Sequence, residues 1–157
     1  MQQSAVAYFT NGRLIVAPVS RTASGDTIAT DPKWFGKSAK KAVVAQALAE
    51  VLSTSRAGMA DPTPEQWKRQ FIPFQDAASV KNFKTFMRDA LRVDIDRTGD
   101  AVTLTPFDNL GVNNGFEARE GEVRTVAIDD IEAVAGTLLT LLGLRPDAVG
   151  STTRPAD

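Results

Sequence analysis

Asp94 and Asp96 stand two residues apart, with Asp100 and Asp108 following in the same stretch. Carboxylates grouped in this way can hold a magnesium ion or divide acid and base duties between them. They are the one catalytic set that the composition leaves open. The 157 residues include no histidine and no cysteine. Without imidazole there is no side chain that ordinarily titrates near neutrality, and no Ser-His-Asp triad. Without thiols there is no cysteine nucleophile and no structural zinc cluster. Neither a Walker loop nor a dinucleotide fingerprint occurs. The run from Asn109 to Gly115 is too poor in glycine and has no helix after it. The expectation is a chain that is not an enzyme and needs no cofactor or metal. The alternative is a small metal-dependent hydrolase that uses the aspartates.

Charge gives the carboxylates a second reading. From Asp94 to Glu132 ten acidic residues face three arginines, a net −7, while the remainder has fifteen basic residues against nine acidic, a net +6. A total of −1 hides this split. Such a distribution suits a protein that binds something rather than transforms it. Asp94, Asp96, Asp100, Asp108, Glu117, Glu120 and Glu122 are the candidate partner-contacting residues, with a merely solvated face as the competing reading. Trp34 joins them as a candidate anchor, because tryptophan is enriched at interface hot spots. Core packing is the competing reading for Trp34 and for Trp67. The near-neutral total argues against general nucleic-acid binding. Lys37, Lys40 and Lys41 crowd a helix start, either as an exposed cluster or as a contact to an anionic group. No apolar run reaches the ~18 residues of a membrane span. Met1-Gln2-Gln3-Ser4 lacks the basic and apolar regions of a signal peptide. The cytoplasm is therefore the expected location, with no membrane partner.

The elements that must position these residues follow from periodicity. Ala5 to Phe9 and Leu14 to Val19 flank Asn11-Gly12, a strong hairpin signal. Pro18 points to an edge or a strand end, and Thr27 to Thr30 reads as a short strand. Ser38 is placed to cap a helix running to about Ser55, with Val44, Leu48, Val51 and Leu52 on its inner side. Thr63-Pro64-Glu65-Gln66 reads as a capping box opening a short helix that Pro73 ends. Ser79 is expected to cap the next helix, with a stripe of Val80, Phe83, Phe86, Met87, Ala90 and Leu91. With Phe71 and Phe74 near Phe83, core packing is the expected reading and a ligand cage the competing one.

Period-two alternation over Leu91–Asp96 and Ala101–Thr105 makes a hairpin with Val93, Ile95, Val102 and Leu104 inward. Asp94 and Asp96 then share the opposite, wet face. A second hairpin is expected from Phe116 to Ile128 around Glu120-Gly121-Glu122. Asp129 and Glu132 are expected to cap a last helix that buries Ile131, Val134, Ala135, Leu138, Leu139 and Leu142, with Gly143 and Pro146 ending it. The sum is a single α+β domain over residues 1–148, a mainly antiparallel sheet of hairpins packed by three to four helices. Crossovers leave room for one parallel pair, and residues 149–157 form a disordered tail.

The N-terminal organisation also carries a likeness. A strand, the Asn11-Gly12 turn, and the run from Val19 to Thr30, with Arg21-Thr22 followed by Gly25, resemble the start of a family of small bacterial immunity proteins. These belong to contact-dependent growth inhibition systems (the CdiI-like family). The resemblance is clearest over Ala5 to Phe35 and extends loosely to overall length and the apolar final helix. It implies a cytoplasmic protein that binds and neutralises the C-terminal toxin domain of its cognate system, often a nuclease. It assigns no contact residues. A housekeeping interaction subunit without a toxin partner is the remaining alternative. With no catalytic set beyond the aspartates, a magnesium-supplemented preparation is expected to hydrolyse no phosphodiester above background. Hydrolysis that disappears in the Asp94→Asn, Asp96→Asn double variant is the contrary result.

Overall fold

The computed structural model describes residues 2–144. The expected helix stop at Pro146, the domain limit at residue 148 and the 149–157 tail lie outside the described residues. Eight strands form one sheet: β1 (Gln2–Thr10), β2 (Arg13–Arg21), β3 (Thr27–Ala29), β4 (Lys33–Gly36), β5 (Leu91–Thr98), β6 (Ala101–Asn109), β7 (Phe116–Ala118) and β8 (Arg124–Ala127). Their order is β3-β2-β1-β5-β6-β7, with β4 also on β2 and β8 also on β6. The described residues also form five helices, α1 (Lys41–Thr54), α2 (Pro64–Arg69), α3 (Ile72–Ala78), α4 (Phe83–Met87) and α5 (Ile131–Leu141), of which all but α2 bury residues against the sheet. The domain is α+β.

The first hairpin forms as its turn residues require. Asn11 and Gly12 have φ of 52° and 74°, the paired left-handed conformation of a two-residue turn, with Thr10 opposite Arg13. Among the described residues all pairings between these strands are antiparallel, and the one parallel contact is an isolated bridge between Thr22 and Met59. The connection carrying α1 to α4 delivers the chain to Leu91 beside Phe9, at the end where β1 finishes, and β5 runs back along it.

Two prolines shape the sheet's outer strands. Pro18 lies inside β2, which is an interior strand and not the expected edge. It falls between the residues that pair with β4 (Arg13 to Val16) and those that pair with β3 (Val19 to Arg21). Its carbonyl accepts from Thr30 N at 3.2 Å on that outer side, so its missing N–H falls on the same side, where the outer neighbour is split. Pro106 repeats the arrangement in β6. Its carbonyl accepts from Arg119 N at 2.8 Å, and the neighbouring strand is broken there into β7 and β8. Phe116 to Ile128 is therefore not a hairpin. Its two strands lie end to end along β6, joined by a 3-10 turn at Glu120–Glu122.

The two faces of the sheet are covered differently. On the first, Ala5, Ala7, Leu14, Val16, Val93, Ile95, Val102 and Leu104 meet the apolar sides of α1 and α5. Val44, Leu48, Val51, Leu52, Val134 and Leu138 are buried there, as the helical spacing requires. On the second face Val6, Tyr8, Ile15 and Ala17 meet Phe74, Ala77, Phe86 and Met87 of α3 and α4. This second cover reaches β1 and β2 but includes no residue of β5 or β6.

Several helix starts move from their expected places. Lys40, not Ser38, precedes α1, and it makes no side-chain cap. The capping box of Thr63 and Gln66 forms as expected. Pro73 sits in the first turn of α3, where its lack of an N–H costs nothing. Ser79 ends α3 in the left-handed conformation instead of starting a helix, and Asn82 caps α4 by accepting from Thr85 N. Asp130, not Asp129, caps α5 through Ala133 N. Because α4 is only five residues long, Phe83 stands 40% exposed at its start, while Phe86 and Met87 are buried. The expected core position of Phe83 is thereby corrected, and that of Leu138 is kept. Leu138→Ala is expected to cost about 2–5 kcal/mol and Phe86→Ala about 3–5 kcal/mol in denaturant melts. Phe83→Ala should cost less than about 1 kcal/mol; a loss as large as that of Phe86 would contradict this packing.

Candidate functional site

Strand register places the candidate residues without further assumption. On the second face one row runs Trp34, Ile15, Tyr8, Arg92, Phe107 and Ala118 across the sheet. The next row holds Ala17, Val6, Asp94 and Thr105, and the one after it Val19, Ser4, Asp96, Thr103 and Thr125. Asp94 and Asp96 thus lie on the face opposite Val93 and Ile95, as alternation requires. That half of the face is polar and is not part of the helix-covered core.

The two aspartates are not simply wet. Arg92 donates from Nε to Asp94 Oδ1 at 2.8 Å and from Nη2 to Oδ2 at 3.1 Å. The two side chains are only 30% and 28% exposed. Arg92 also lies 4.5 Å from the Phe107 ring centroid and 5.5 Å from that of Phe116, in range for cation–π attraction. Burial pushes the Asp94 carboxyl above the usual aspartate value, outweighing the hydrogen bonds and charge of Arg92; the Asp96 carboxylate adds to the rise. Burial opposes the charge of Arg92, but hydrogen bonding to Asp94 and the nearby negative groups more than offset it and raise its value. Asp96 accepts from Ser4 Oγ at 2.6 Å and from Gln2 Nε2 at 3.2 Å.

The other candidates are spread around the sheet. Asp100 is exposed in the β5–β6 turn. Asp108 and Glu117 are cross-strand neighbours at the far end of β6, both exposed. Arg119 Nε lies 3.2 Å from Asp108 Oδ1, without hydrogen-bond alignment, and its Nη1 donates to Glu122 Oε1 at 2.9 Å. Glu120 and Glu122 project from the 3-10 turn at the β7–β8 edge. The acidic candidates therefore form a polar half-face with Asp94 and Asp96, plus an acidic edge with Asp108, Glu117, Glu120 and Glu122. Trp34 is elsewhere, on strand β4 at the opposite edge, 50% exposed with the Arg13 guanidinium 3.8 Å above its ring. Arg13 in turn donates to Ala77 O at the end of α3.

For metal chemistry this layout offers little. Among the described residues no three acidic side chains are grouped closely enough to hold an ion, and both oxygens of Asp94 are committed to a guanidinium.

Sequence reasoning missed Arg92. The acidic stretch begins at Asp94, just past Arg92, although the period that groups Asp94 with Asp96 puts Arg92 on the same face. A groove of about 490 Å³ lies beside the polar half-face, lined in part by Phe71, Phe74 and Phe83, for which a ligand cage is the competing reading of the sequence. Val6 and Tyr8 line it from the sheet, Trp67 and Phe71 from the α2–α3 segment, and Arg92 and Phe116 from the polar side. Its other walls come from segments far apart along the chain, so no local pattern announces them.

No protein-family profile matches the chain, and no curated protein matches it in sequence. Solved structures do match its fold. A protein of unknown function from Neisseria meningitidis superposes with a TM-score of 0.76 at 13% identity, over 91% of this chain and 94% of that one. A chain of the CdiA-CT/CdiI toxin and immunity complex from Yersinia pseudotuberculosis superposes with a TM-score of 0.75. Identity is again 13%, and 91% of this chain and 97% of that chain are covered. The likeness is one of fold, over nearly the whole of each chain. Among the described residues no helix is long and apolar enough to cross a membrane.

The Arg92–Asp94 pair yields a stability test. Asp94→Ala strands a half-buried guanidinium and is expected to cost about 1–3 kcal/mol. Replacing both partners, Arg92→Met with Asp94→Leu, should recover most of that loss, because neither charge is then desolvated. Urea melts of the wild type and both variants check this; a double variant less stable than Asp94→Ala would contradict it.

Proposed function

We propose that this chain is an immunity protein that binds and neutralises the toxin domain of a contact-dependent growth inhibition system. The observation that carries the reading is the end-to-end fold match to a chain of a toxin and immunity complex. The N-terminal resemblance noted in the sequence points the same way. In this reading the protein acts in the cytoplasm and does no chemistry of its own. It works by covering the toxin's active site.

The charge distribution supports a finer form of the proposal, in which the toxin is a nuclease. A nuclease active site must attract phosphate, so it presents cations. An acidic surface meets such a site with complementary potential and speeds encounter. Asp100, Asp108, Glu117, Glu120 and Glu122 are the exposed acids available for this. Asp94 and Asp96 serve it less directly, since Arg92, Ser4 and Gln2 already engage them. The hydrolase alternative loses its main support through the same contacts.

The test is to look for a large toxin gene beside the gene for this chain and to co-express this chain with the C-terminal domain of that toxin. The proposal expects a stable complex and rescue of growth. Lack of both would overturn it. Asp100, Glu117 and Glu120 are exposed and can be reversed together to lysine with the fold intact. Association of that variant should slow about tenfold or more at low ionic strength, with the difference shrinking as salt screens the charges. Association rates unchanged at low and high salt would place the interface away from the acidic edge.

A further inference from the structure

The groove beside the polar half-face has features that packing alone does not require. Helix α2 stands over it and buries none of its own residues. Its inward-facing Trp67, with Phe71 and Phe116, lines the opening, and Phe83 adds a partly exposed ring 4.8 Å from that of Phe71. Tyr8 lies at the floor. It is only 8% exposed, its ring is packed edge-on by Phe74 and Phe86, and its hydroxyl makes no hydrogen bond within the described residues. The hydroxyl is not sealed among the described side chains, so it meets the groove as an unspent donor. Arg92 stands next to Tyr8 in the strand register and also lines the groove. Its Nε and Nη2 are spent on Asp94, leaving Nη1 without a hydrogen bond among the described residues. Lys68 adds a second cation at the groove.

We propose that this groove is a binding site for a small planar aromatic anion. The ring would lie between Trp67, Phe71 and Phe116, and the anionic group would accept from the Tyr8 hydroxyl and Arg92 Nη1. The chemistry of the lining selects both parts of that ligand. Aromatic walls favour a flat ring through stacking and edge contacts. The polar groups at the floor and one side are donors. Burial raises the Tyr8 hydroxyl above its ordinary value, more than the charge of Arg92 lowers it, so it remains protonated and donates. A volume of about 490 Å³ falls within the range of small-molecule sites. The site does not depend on the immunity reading, because none of its groups belongs to the exposed acidic edge.

The chain has two tryptophans, so Trp34→Phe leaves the Trp67 indole N–H as a lone reporter in ¹H–¹⁵N spectra. The probes are 2-naphthoate, the neutral 2-naphthylmethanol and acetate. A saturable shift of the Trp67 signal by 2-naphthoate is expected, with a dissociation constant of about 1 mM or tighter. The neutral ring and the ringless anion should each bind about tenfold more weakly or not at all. Tyr8→Phe, which keeps the ring and removes the donor, should weaken 2-naphthoate about fivefold. Phe83→Ala removes an exposed part of the wall without touching the core and should also weaken it. Failure to saturate below about 10 mM overturns the proposal. So does equal binding of the neutral ring, or binding indifferent to both Tyr8→Phe and Phe83→Ala.

Discussion

Strands β1 and β2 are apolar on both faces, while β5 and β6 are apolar on one. That difference governs the rest of the molecule. Two-sided burial at Ala5, Val6, Ala7 and at Leu14, Ile15, Val16 demands helices above and below the first hairpin. One-sided burial at Val93, Ile95, Val102 and Leu104 demands a cover only from α1 and α5. The short helices α3 and α4 complete the second cover and stop at Tyr8. Beyond them the sheet keeps an open polar half-face, and the aromatic groove marks the boundary. Both candidate surfaces exist because the alternation of the second hairpin leaves one face uncovered.

The boundary is held by side chains that bridge the short helices to the strands. Asn109 donates to Met87 O and Ala90 O, fixing the end of α4 to β6. Asn11 donates to Ala78 O and Arg13 to Ala77 O, so the first turn satisfies the last carbonyls of α3. These contacts matter because α2, α3 and α4 are each too short to be stable by themselves. Their order comes from docking. Trp34, stacked on Arg13, belongs to this support at the far edge, which accounts for its position better than burial does.

Much of this was legible in the sequence where one local rule decides the outcome. Asn11-Gly12 sets a turn, the capping box at Thr63 starts a helix, and alternation sorts Val93 and Ile95 from Asp94 and Asp96. Reading failed where a distant partner decides. Phe83 repeats at core spacing, but its helix is five residues long and ends the stripe early. Glu120-Gly121-Glu122 looks like a hairpin turn, yet the missing N–H of Pro106 breaks the neighbouring strand and lays its halves end to end. The charge count treated Asp94 as free because Arg92 lies just outside the window. Charge along the chain is a poor guide to charge in space when strand neighbours neutralise each other.

Under the proposed immunity role, the exposed acidic edge around Asp108, Glu117, Glu120 and Glu122, with Asp100 in the β5–β6 turn, is the surface expected to meet a toxin domain. Amide hydrogen exchange of this chain, alone and in complex with a toxin domain that it neutralises, is the decisive test of that expectation. The account predicts slowed exchange in the β5–β6 turn, in β7 and β8, and through the turn at Glu120–Glu122. Little change is expected in α1 and α5, which cover the first face. Protection confined to β3, β4 and the start of α1, with the acidic edge exchanging as in the free protein, would contradict it.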